Sequence, residues 1–272
     1  MPAVIVNGIE LYYERRGSGP RLLFCNGSGA TLTTSAPLIW SFADRFDVVA
    51  HDQRGLGRTA IPPGPYAMAD YAADAAALLA HLGWATCGVI GVSFGGMVAQ
   101  EFAVTWPQRV ERLALVCTSP GGVGGVSYPL HELADLPADE RAAIALRILD
   151  TRFTPEWLAV HPGDRALVEM MAARTDAPKT DAQRRGEAEQ IAARRHHDVC
   201  ERLAAITCPT LVACGRFDGI APPANGEWIA SHIAGAELRV YDGGHLFFMQ
   251  DPTALPAITA FLAGDARHPR IA

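Results

Sequence analysis

The sequence lacks any apolar run near the length of a membrane span. A helix needs about 20 consecutive apolar residues to cross a bilayer, and no stretch of the 272 residues approaches that length. The N-terminal stretch MPAVIVNGIELYYERRG has no basic segment ahead of its apolar residues and reaches a glutamate early, which is not typical of a secretory signal peptide. We therefore expect a cytoplasmic protein that has no membrane partner.

Excess positive charge is also lacking. The chain has 23 Lys and Arg against 29 Asp and Glu, a net charge of −6. This balance argues against nucleic acid as a partner. Hydrophobic residues make up 49% of the chain and charged residues 19%, so a sizeable core can be buried, and the length suits one large domain with an insertion.

The six cysteines form no C-x-x-C pair, and no cysteine or histidine cluster has the spacing of a zinc site. We expect buried, reduced thiols that act as small hydrophobic residues. The chain has no P-loop motif. The stretch GLGRTA at 55–60 resembles a dinucleotide fingerprint, but IPPGPY follows where a helix should begin. The sequence therefore predicts no metal and no cofactor.

Short apolar runs alternate with helical patterns over most of the chain. Apolar strands joined by helices are typical of a parallel sheet covered on both faces, so we predict an α/β fold with a mostly parallel sheet flanked by helices. After residue 120 the alternation stops, and only helical patterns follow as far as residue 195. We predict a core made of residues 1–120 and 196–272, with residues 121–195 inserted as a helical cap or lid.

The stretch VIGVSFGGMVAQ at 89–100 contains G-x-S-x-G between a predicted strand and a predicted helix. In this context the serine can stand on a strained turn as a nucleophile, and glycines allow the close backbone approach that such a turn needs. Ser93 is the candidate nucleophile. A phosphate-binding turn and a plain glycine turn are the alternatives.

A serine nucleophile needs a base, and the base needs an acid that orients it. Asp218 and His245 each follow a predicted strand, in the chain order Ser, Asp, His that such sites use. Asp242 and Asp251 are alternative acids. Asp242 is only three residues from His245, and Asp251 opens the last predicted helix as a candidate cap.

A tetrahedral oxyanion needs two N–H donors. We expect one from Phe94, at a helix N-terminus where N–H groups are free, and the other from the loop CNGSGAT after the third strand. Ser28 is the candidate there, and Gly27 is the adjacent alternative.

These residues resemble the α/β-hydrolase family along nearly the whole chain. The likeness is carried by CNGSGA, DQRGLGRT, GVSFGGMVAQEFA, CPTLVACGRFDGIAPP and DGGHLFFMQDP. The chain looks most like the 3-oxoadipate enol-lactonase and cofactor-free haloperoxidase/esterase group. The resemblance implies an α/β-hydrolase fold, with Ser93, Asp218 and His245 as nucleophile, acid and base. Many members have His-Gly at the oxyanion loop, whereas this chain has Asn26-Gly27.

The function expected from these features is hydrolysis of an ester or lactone of a small organic substrate through an acyl-enzyme. Carbon–carbon bond hydrolysis of a diketone, or perhydrolysis seen as haloperoxidase activity, could use the same triad. A ligand-binding or signalling protein on this fold is a third hypothesis. The oligomeric state is left open.

Apolar side chains of the predicted cap are candidates for facing Ser93, although they could equally pack within the cap. They are Phe153, Trp157, Leu158, Met170 and Met171.

Overall fold

The computed structural model describes residues 3–172 and 179–265. Its eight strands form one sheet in the order β1-β2-β4-β3-β5-β6-β7-β8. The first two pairings, β1 with β2 and β2 with β4, are antiparallel, and every other pairing is parallel. The strands are β1 Ala3–Val6, β2 Ile9–Arg16, β3 Arg21–Cys25, β4 Asp47–His51, β5 Cys87–Val92, β6 Val110–Val116, β7 Thr210–Gly215 and β8 Glu237–Tyr241. The predicted α/β class and mostly parallel sheet are confirmed.

Helices follow the strands as the alternating pattern predicts, except for two short helices that sequence analysis missed. These are Ala36–Trp40 and Phe247–Gln250, which have five and four residues, too few to show helical periodicity. The helices are α1 Ala36–Trp40, α2 Met68–His81, α3 Phe94–Thr105, α4 Ala138–Leu149, α5 Pro155–Val160, α6 Pro162–Ala172, α7 Asp181–Arg195, α8 Pro223–His232, α9 Phe247–Gln250 and α10 Ala254–Ala263.

Successive strand residues point to opposite sides of the sheet, and helices cover both sides, so both faces are buried. On one face, Leu23 and Val89 belong to a cluster that includes side chains of α2, α3 and α8. On the other, Phe24 and Ile90 belong to a cluster with side chains of α1, α9 and α10. This two-sided core fixes the strand ends that carry the candidate site.

All six cysteines are buried free thiols, as expected. Burial raises the pKa of Cys25 and of Cys87 to about 12, so these thiols are protonated and unreactive near neutral pH.

The helices α4 to α7 follow one another between β6 and β7. α7 lies against the loop that follows β4, so closely that a Cβ at Gly186 would come within 2.0 Å of the Gly55 carbonyl oxygen. The C-terminal end of α4 contacts the loop after β7, where the Gly219 N–H donates to the Ile148 carbonyl at 3.0 Å. These contacts place the helical segment over the carboxyl edge of the sheet.

Among the residues described, no helix combines the length and apolar character needed to cross a membrane.

Candidate active site

Ser93 occupies the turn between β5 and α3. Its backbone adopts φ 55° and ψ −117°, a region that costs a non-glycine residue about 1–3 kcal/mol. Two hydrogen bonds hold this conformation: the Ser93 N–H donates to the Val116 carbonyl at 2.8 Å, and the Thr118 hydroxyl donates to the Ser93 carbonyl at 2.8 Å. The turn leaves the Ser93 side chain partly exposed at the carboxyl edge of the sheet.

The glycines on either side of Ser93 are required by close backbone contacts. A Cβ at Gly95 would lie 2.0 Å from the Cys25 carbonyl oxygen, and a Cβ at Gly91 would lie 2.2 Å from the Gly95 carbonyl oxygen. Real Cβ atoms do not approach so closely, so the turn packs against the end of β3 only with glycine at these positions.

His245 bridges Ser93 and Asp218. Its Nε2 lies 2.9 Å from the Ser93 Oγ, and its Nδ1 lies 2.7 Å from the Asp218 Oδ2. Asp218 is 3% exposed, and its other oxygen accepts the N–H groups of Ile220 and Ala221, both at 2.8 Å. The carboxylate favours the tautomer with the proton on Nδ1, which leaves Nε2 free to accept the serine proton.

Asp218 and His245 stand on the loops that follow β7 and β8. The two loops are joined by the Phe217 N–H, which donates to the Gly243 carbonyl at 2.9 Å. The His245 N–H donates to the carbonyl of Leu149, the last residue of α4, at 2.6 Å. The histidine backbone is therefore held by the helical segment as well as by the sheet.

The side chains of the other two candidate acids do not face His245. The Asp242 side chain is 73% exposed and pairs with Arg152 at 3.1 Å. Asp251 accepts the Thr253 N–H at 2.9 Å, in the turn before α10. Neither carboxylate bonds to His245, which leaves Asp218 as its partner.

The loop after β3 lies beside Ser93, since a Cβ on Gly27 would be 3.7 Å from the Ser93 Cβ. The Gly27 N–H already donates to the Asn26 side-chain oxygen at 3.1 Å. Within the described part of the chain, neither the Ser28 N–H nor the Phe94 N–H donates to a protein acceptor. The geometry thus favours Ser28 over Gly27 as the loop's free donor.

Sequence analysis did not find the residue that braces this loop. Gln190 of α7 is 1% exposed, and its side-chain oxygen accepts the Gly29 N–H at 2.7 Å. Its side-chain nitrogen donates to Gln53 at 3.2 Å, and Gln53 donates to the Asn26 carbonyl at 2.6 Å. Because α7 is polar around most of its surface, the sequence carries no signal for this role.

Part of the apolar set proposed to face Ser93 packs within the helical segment instead. The Trp157 indole donates to Asp164 at 2.8 Å and stacks on His161, with ring centroids 3.7 Å apart. Phe153 is 1% exposed. These contacts favour the alternative of packing among the helices for Trp157 and give Phe153 little surface to offer a ligand.

No three His, Cys, Asp or Glu side chains come together as a metal site in residues 3–172 and 179–265.

Comparison with known proteins identifies the family of this chain. A family model described as the alpha/beta hydrolase fold matches residues 20–252. The chain belongs to the α/β-hydrolase family. Among curated α/β-hydrolases, it is 28% identical to 3-oxoadipate enol-lactonase 2 of Acinetobacter baylyi over 90% of each chain. It is 30% identical to a poly(3-hydroxyalkanoate) depolymerase of Ectopseudomonas oleovorans, covering 92% of this chain and 88% of that protein.

The structure of an enol-lactonase from Burkholderia xenovorans is similar to this α/β-hydrolase with a TM-score of 0.77 and 27% identity, over 97% of this chain and 98% of that one. The predicted fold and the resemblance to the enol-lactonase group are confirmed. The family and these relatives together support a hydrolase.

Proposed function

We propose that the protein is a serine hydrolase that cleaves an ester or lactone of a small organic molecule. One observation carries the proposal: an unbroken chain of hydrogen bonds runs from the Ser93 Oγ through both nitrogens of His245 to Asp218. A serine activated in this way is suited to attack a carbonyl carbon.

In the first half of the reaction, His245 Nε2 takes the Ser93 proton as the Oγ attacks the carbonyl carbon. Asp218 holds the imidazole in position and stabilises the imidazolium that forms. The Phe94 and Ser28 N–H groups stabilise the oxyanion. His245 then gives the proton to the oxygen of the broken ester bond, and an acyl group is left on Ser93. The alcohol of an ester departs, whereas the hydroxyl of an opened lactone stays attached to the acyl group.

In the second half, water replaces the alcohol. His245 takes a proton from the water, whose oxygen attacks the acyl carbon, and the second tetrahedral intermediate uses the same two N–H donors. Collapse of this intermediate returns the proton to the Ser93 Oγ and releases the acid. No step in this cycle requires a metal or a cofactor.

The helical segment 121–195 would act as the cap over this site. Its contacts with the Asp218 loop, the His245 backbone and the oxyanion loop support that role. The kinship with an enol-lactonase and a polyester depolymerase supports ester or lactone as the bond cleaved.

The decisive experiment is labelling with a serine-directed phosphonate, followed by peptide mapping and rates on a panel of lactones, short esters and diketones. We expect label on Ser93, turnover of lactones or esters, and loss of at least about 10⁴-fold in kcat for Ser93→Ala. The fold of this variant, followed by circular dichroism, should be unchanged.

Three results would contradict the proposal. If the Ser93→Ala variant kept most of its activity, Ser93 would not be the nucleophile. A burst with an activated ester followed by no turnover would instead indicate a binding or signalling protein, and turnover of diketones alone would indicate carbon–carbon bond hydrolysis.

A further inference from the structure

The side chain of Gln250, the last residue of α9, joins the loop that carries His245 to the helical segment. Its oxygen accepts the N–H of Gly244, the residue directly before His245, at 2.9 Å. Its nitrogen donates to Asp150 at 3.0 Å and to Asp164 at 3.1 Å. One amide group therefore ties the backbone next to His245 to two carboxylates of the helical segment.

Asp150 is a rigid anchor for Gln250. It is fully buried, and its two oxygens accept the Arg152 backbone N–H at 2.9 Å and two guanidinium N–H groups of Arg152 at 2.7 and 3.0 Å. Burial alone would raise the pKa of Asp150, but the hydrogen bonds from Arg152 and Gln250 outweigh it and hold this pKa below its ordinary value. The carboxylate is therefore charged at neutral pH, and a buried group with all these bonds holds its partners in one arrangement.

Arg152 extends this anchor to the loop that carries Asp218. Its guanidinium carbon lies 4.0 Å from the centre of the ring of Phe217, the residue directly before Asp218. The main chain adds a second link, because the Thr151 N–H donates to the Phe217 carbonyl at 2.9 Å. The loops after β7 and β8 are therefore both fastened to the short stretch of chain that follows α4.

The backbone that leads into His245 is held at two successive residues. The His245 N–H donates to the Leu149 carbonyl at 2.6 Å, and the Gly244 N–H donates to Gln250. Leu149 packs tightly against this backbone, since a Cβ at Gly244 would lie 2.2 Å from its carbonyl oxygen. The chain can therefore not shift at His245 without breaking one of these two bonds.

We propose that Gln250, anchored by Asp150, is a positioning residue for His245. The pair holds the histidine backbone so that the imidazole reaches the Ser93 Oγ on one side and the Asp218 carboxylate on the other. This inference rests on the proposed function, in which His245 transfers protons. Proton transfer requires heavy atoms within about 2.6–3.2 Å of each other, and a misplacement of about 1 Å can cost about 100-fold in rate.

The test replaces Gln250 by methionine, which has a similar size but can neither accept the Gly244 N–H nor donate to Asp150. One measurement is the rate constant for labelling of Ser93 by a fluorophosphonate, which reports the activated serine without a need for turnover. The other is kcat and KM with 4-nitrophenyl acetate. Both are repeated with the Gln250→Met change made in an Asp218→Asn background.

Thr210→Val is the control for a simple loss of stability. Thr210 is the first residue of β7 and is 1% exposed, and its hydroxyl donates to the Cys208 carbonyl at 3.0 Å. Asp218 follows the other end of the same strand. This variant should lower the free energy of unfolding, while kcat and the labelling rate constant stay within about twofold of wild type.

Gln250→Met should lower the labelling rate constant and kcat by about tenfold to hundredfold and leave KM within about threefold, because a misplaced base weakens the transition state more than substrate binding. In the Asp218→Asn background the same change should cost less than about threefold, because the imidazole has already lost the partner that orients it. A residue that only supports the fold would cost the same factor in both backgrounds.

The inference is overturned if Gln250→Met keeps wild-type kcat, or if it costs the same factor in both backgrounds. Gln250→Asn is one methylene shorter but still polar, and it should show a smaller loss in the same direction. This second variant keeps the inference testable if Gln250→Met does not fold.

Failure of the inference differs from failure of the proposed function. If Ser93 is labelled and Ser93→Ala is inactive while Gln250→Met behaves as wild type, only the positioning role is wrong. If Asp218→Asn keeps wild-type kcat, the triad itself is wrong and the positioning role is wrong with it.

Discussion

The side-chain oxygen of Gln190 accepts a 2.7 Å hydrogen bond from the Gly29 N–H, across 161 residues of sequence. The bond joins a helix of the inserted segment to the loop proposed to stabilise the oxyanion. The position of that loop is therefore set partly by the inserted helical segment and not by the sheet alone.

Gln190→Met should lower kcat by about tenfold to hundredfold and change KM little, because a displaced oxyanion donor weakens the transition state more than the ground state. The Gly29 N–H would also lose its acceptor. Because Gly29 itself is exposed, water can replace the bond in part, and the loss of stability should be about 0.5–1.5 kcal/mol. Steady-state kinetics on a reactive ester and urea unfolding measure the two effects.

Gln183→Met is the control for this prediction. Gln183 caps the N-terminus of the same helix, so its replacement should cost stability without changing kcat. Equal kcat values for Gln190→Met and wild type would show that the brace has no part in catalysis.

Asp218→Asn should reduce kcat by about 10³–10⁴-fold, because an amide at this position no longer favours the productive imidazole tautomer. Asp242→Asn, three residues from His245 in sequence, should keep wild-type kcat, since its carboxylate pairs with Arg152. The two variants are compared by initial rates at saturating ester. A larger loss for Asp242→Asn would reverse the assignment of the acid.

Gly95→Ala should destabilise the fold by about 3 kcal/mol or more, because the new Cβ would meet the Cys25 carbonyl oxygen at 2.0 Å. Gly27→Ala should change stability by less than about 1 kcal/mol, since its Cβ would meet its neighbours at 3.5 Å or more. Chemical unfolding of both variants is the measurement. Similar losses for the two would mean that the turn at Ser93 is not tightly packed around Gly95.

Acid should destabilise the protein through His197. Burial lowers the pKa of His197 to about 4 from its ordinary value of 6.5, so the unfolded chain takes up the proton first as the pH falls. The stability that His197 contributes is fully present above pH 6.5 and is lost as the pH falls toward 4. The loss amounts to roughly 3 kcal/mol at most.

His197→Asn should flatten the dependence of unfolding free energy on pH between 6.5 and 4, measured by urea unfolding at several pH values. His196→Asn, the exposed neighbour, should keep the wild-type slope. An unchanged slope in His197→Asn would mean that another group, such as the buried His51, controls acid stability.

The parts of the molecule that could be predicted from sequence are those where a local sequence pattern determines the backbone geometry. Ser93 lies between an apolar strand and a helix, and parallel strands end at one edge, so chain order was enough to bring Asp218 and His245 beside it. The turn residues and the apolar strand segments were likewise enough to predict the fold class.

What the sequence did not reveal depends on contacts between distant segments. Gln190 lies in a helix that is polar around most of its surface, so no periodicity marks the face that meets the oxyanion loop. For Trp157 the sequence left two alternatives open, facing Ser93 or packing within the cap, and its indole donates to Asp164. Side-chain contacts between segments distant in sequence cannot be recognised from the residues around them.

The carbonyl of Leu149 accepts from the backbone of His245, just as Gln190 accepts from the oxyanion loop. When the helical segment is exchanged between relatives, in evolution or in the laboratory, the new segment must therefore do more than shape the pocket. It must also supply these two hydrogen-bond acceptors. A graft that changed specificity but omitted these two acceptors would loosen both His245 and the loop proposed to stabilise the oxyanion. Chimaeras that preserve both junctions are the ones expected to keep their turnover while they acquire new substrates.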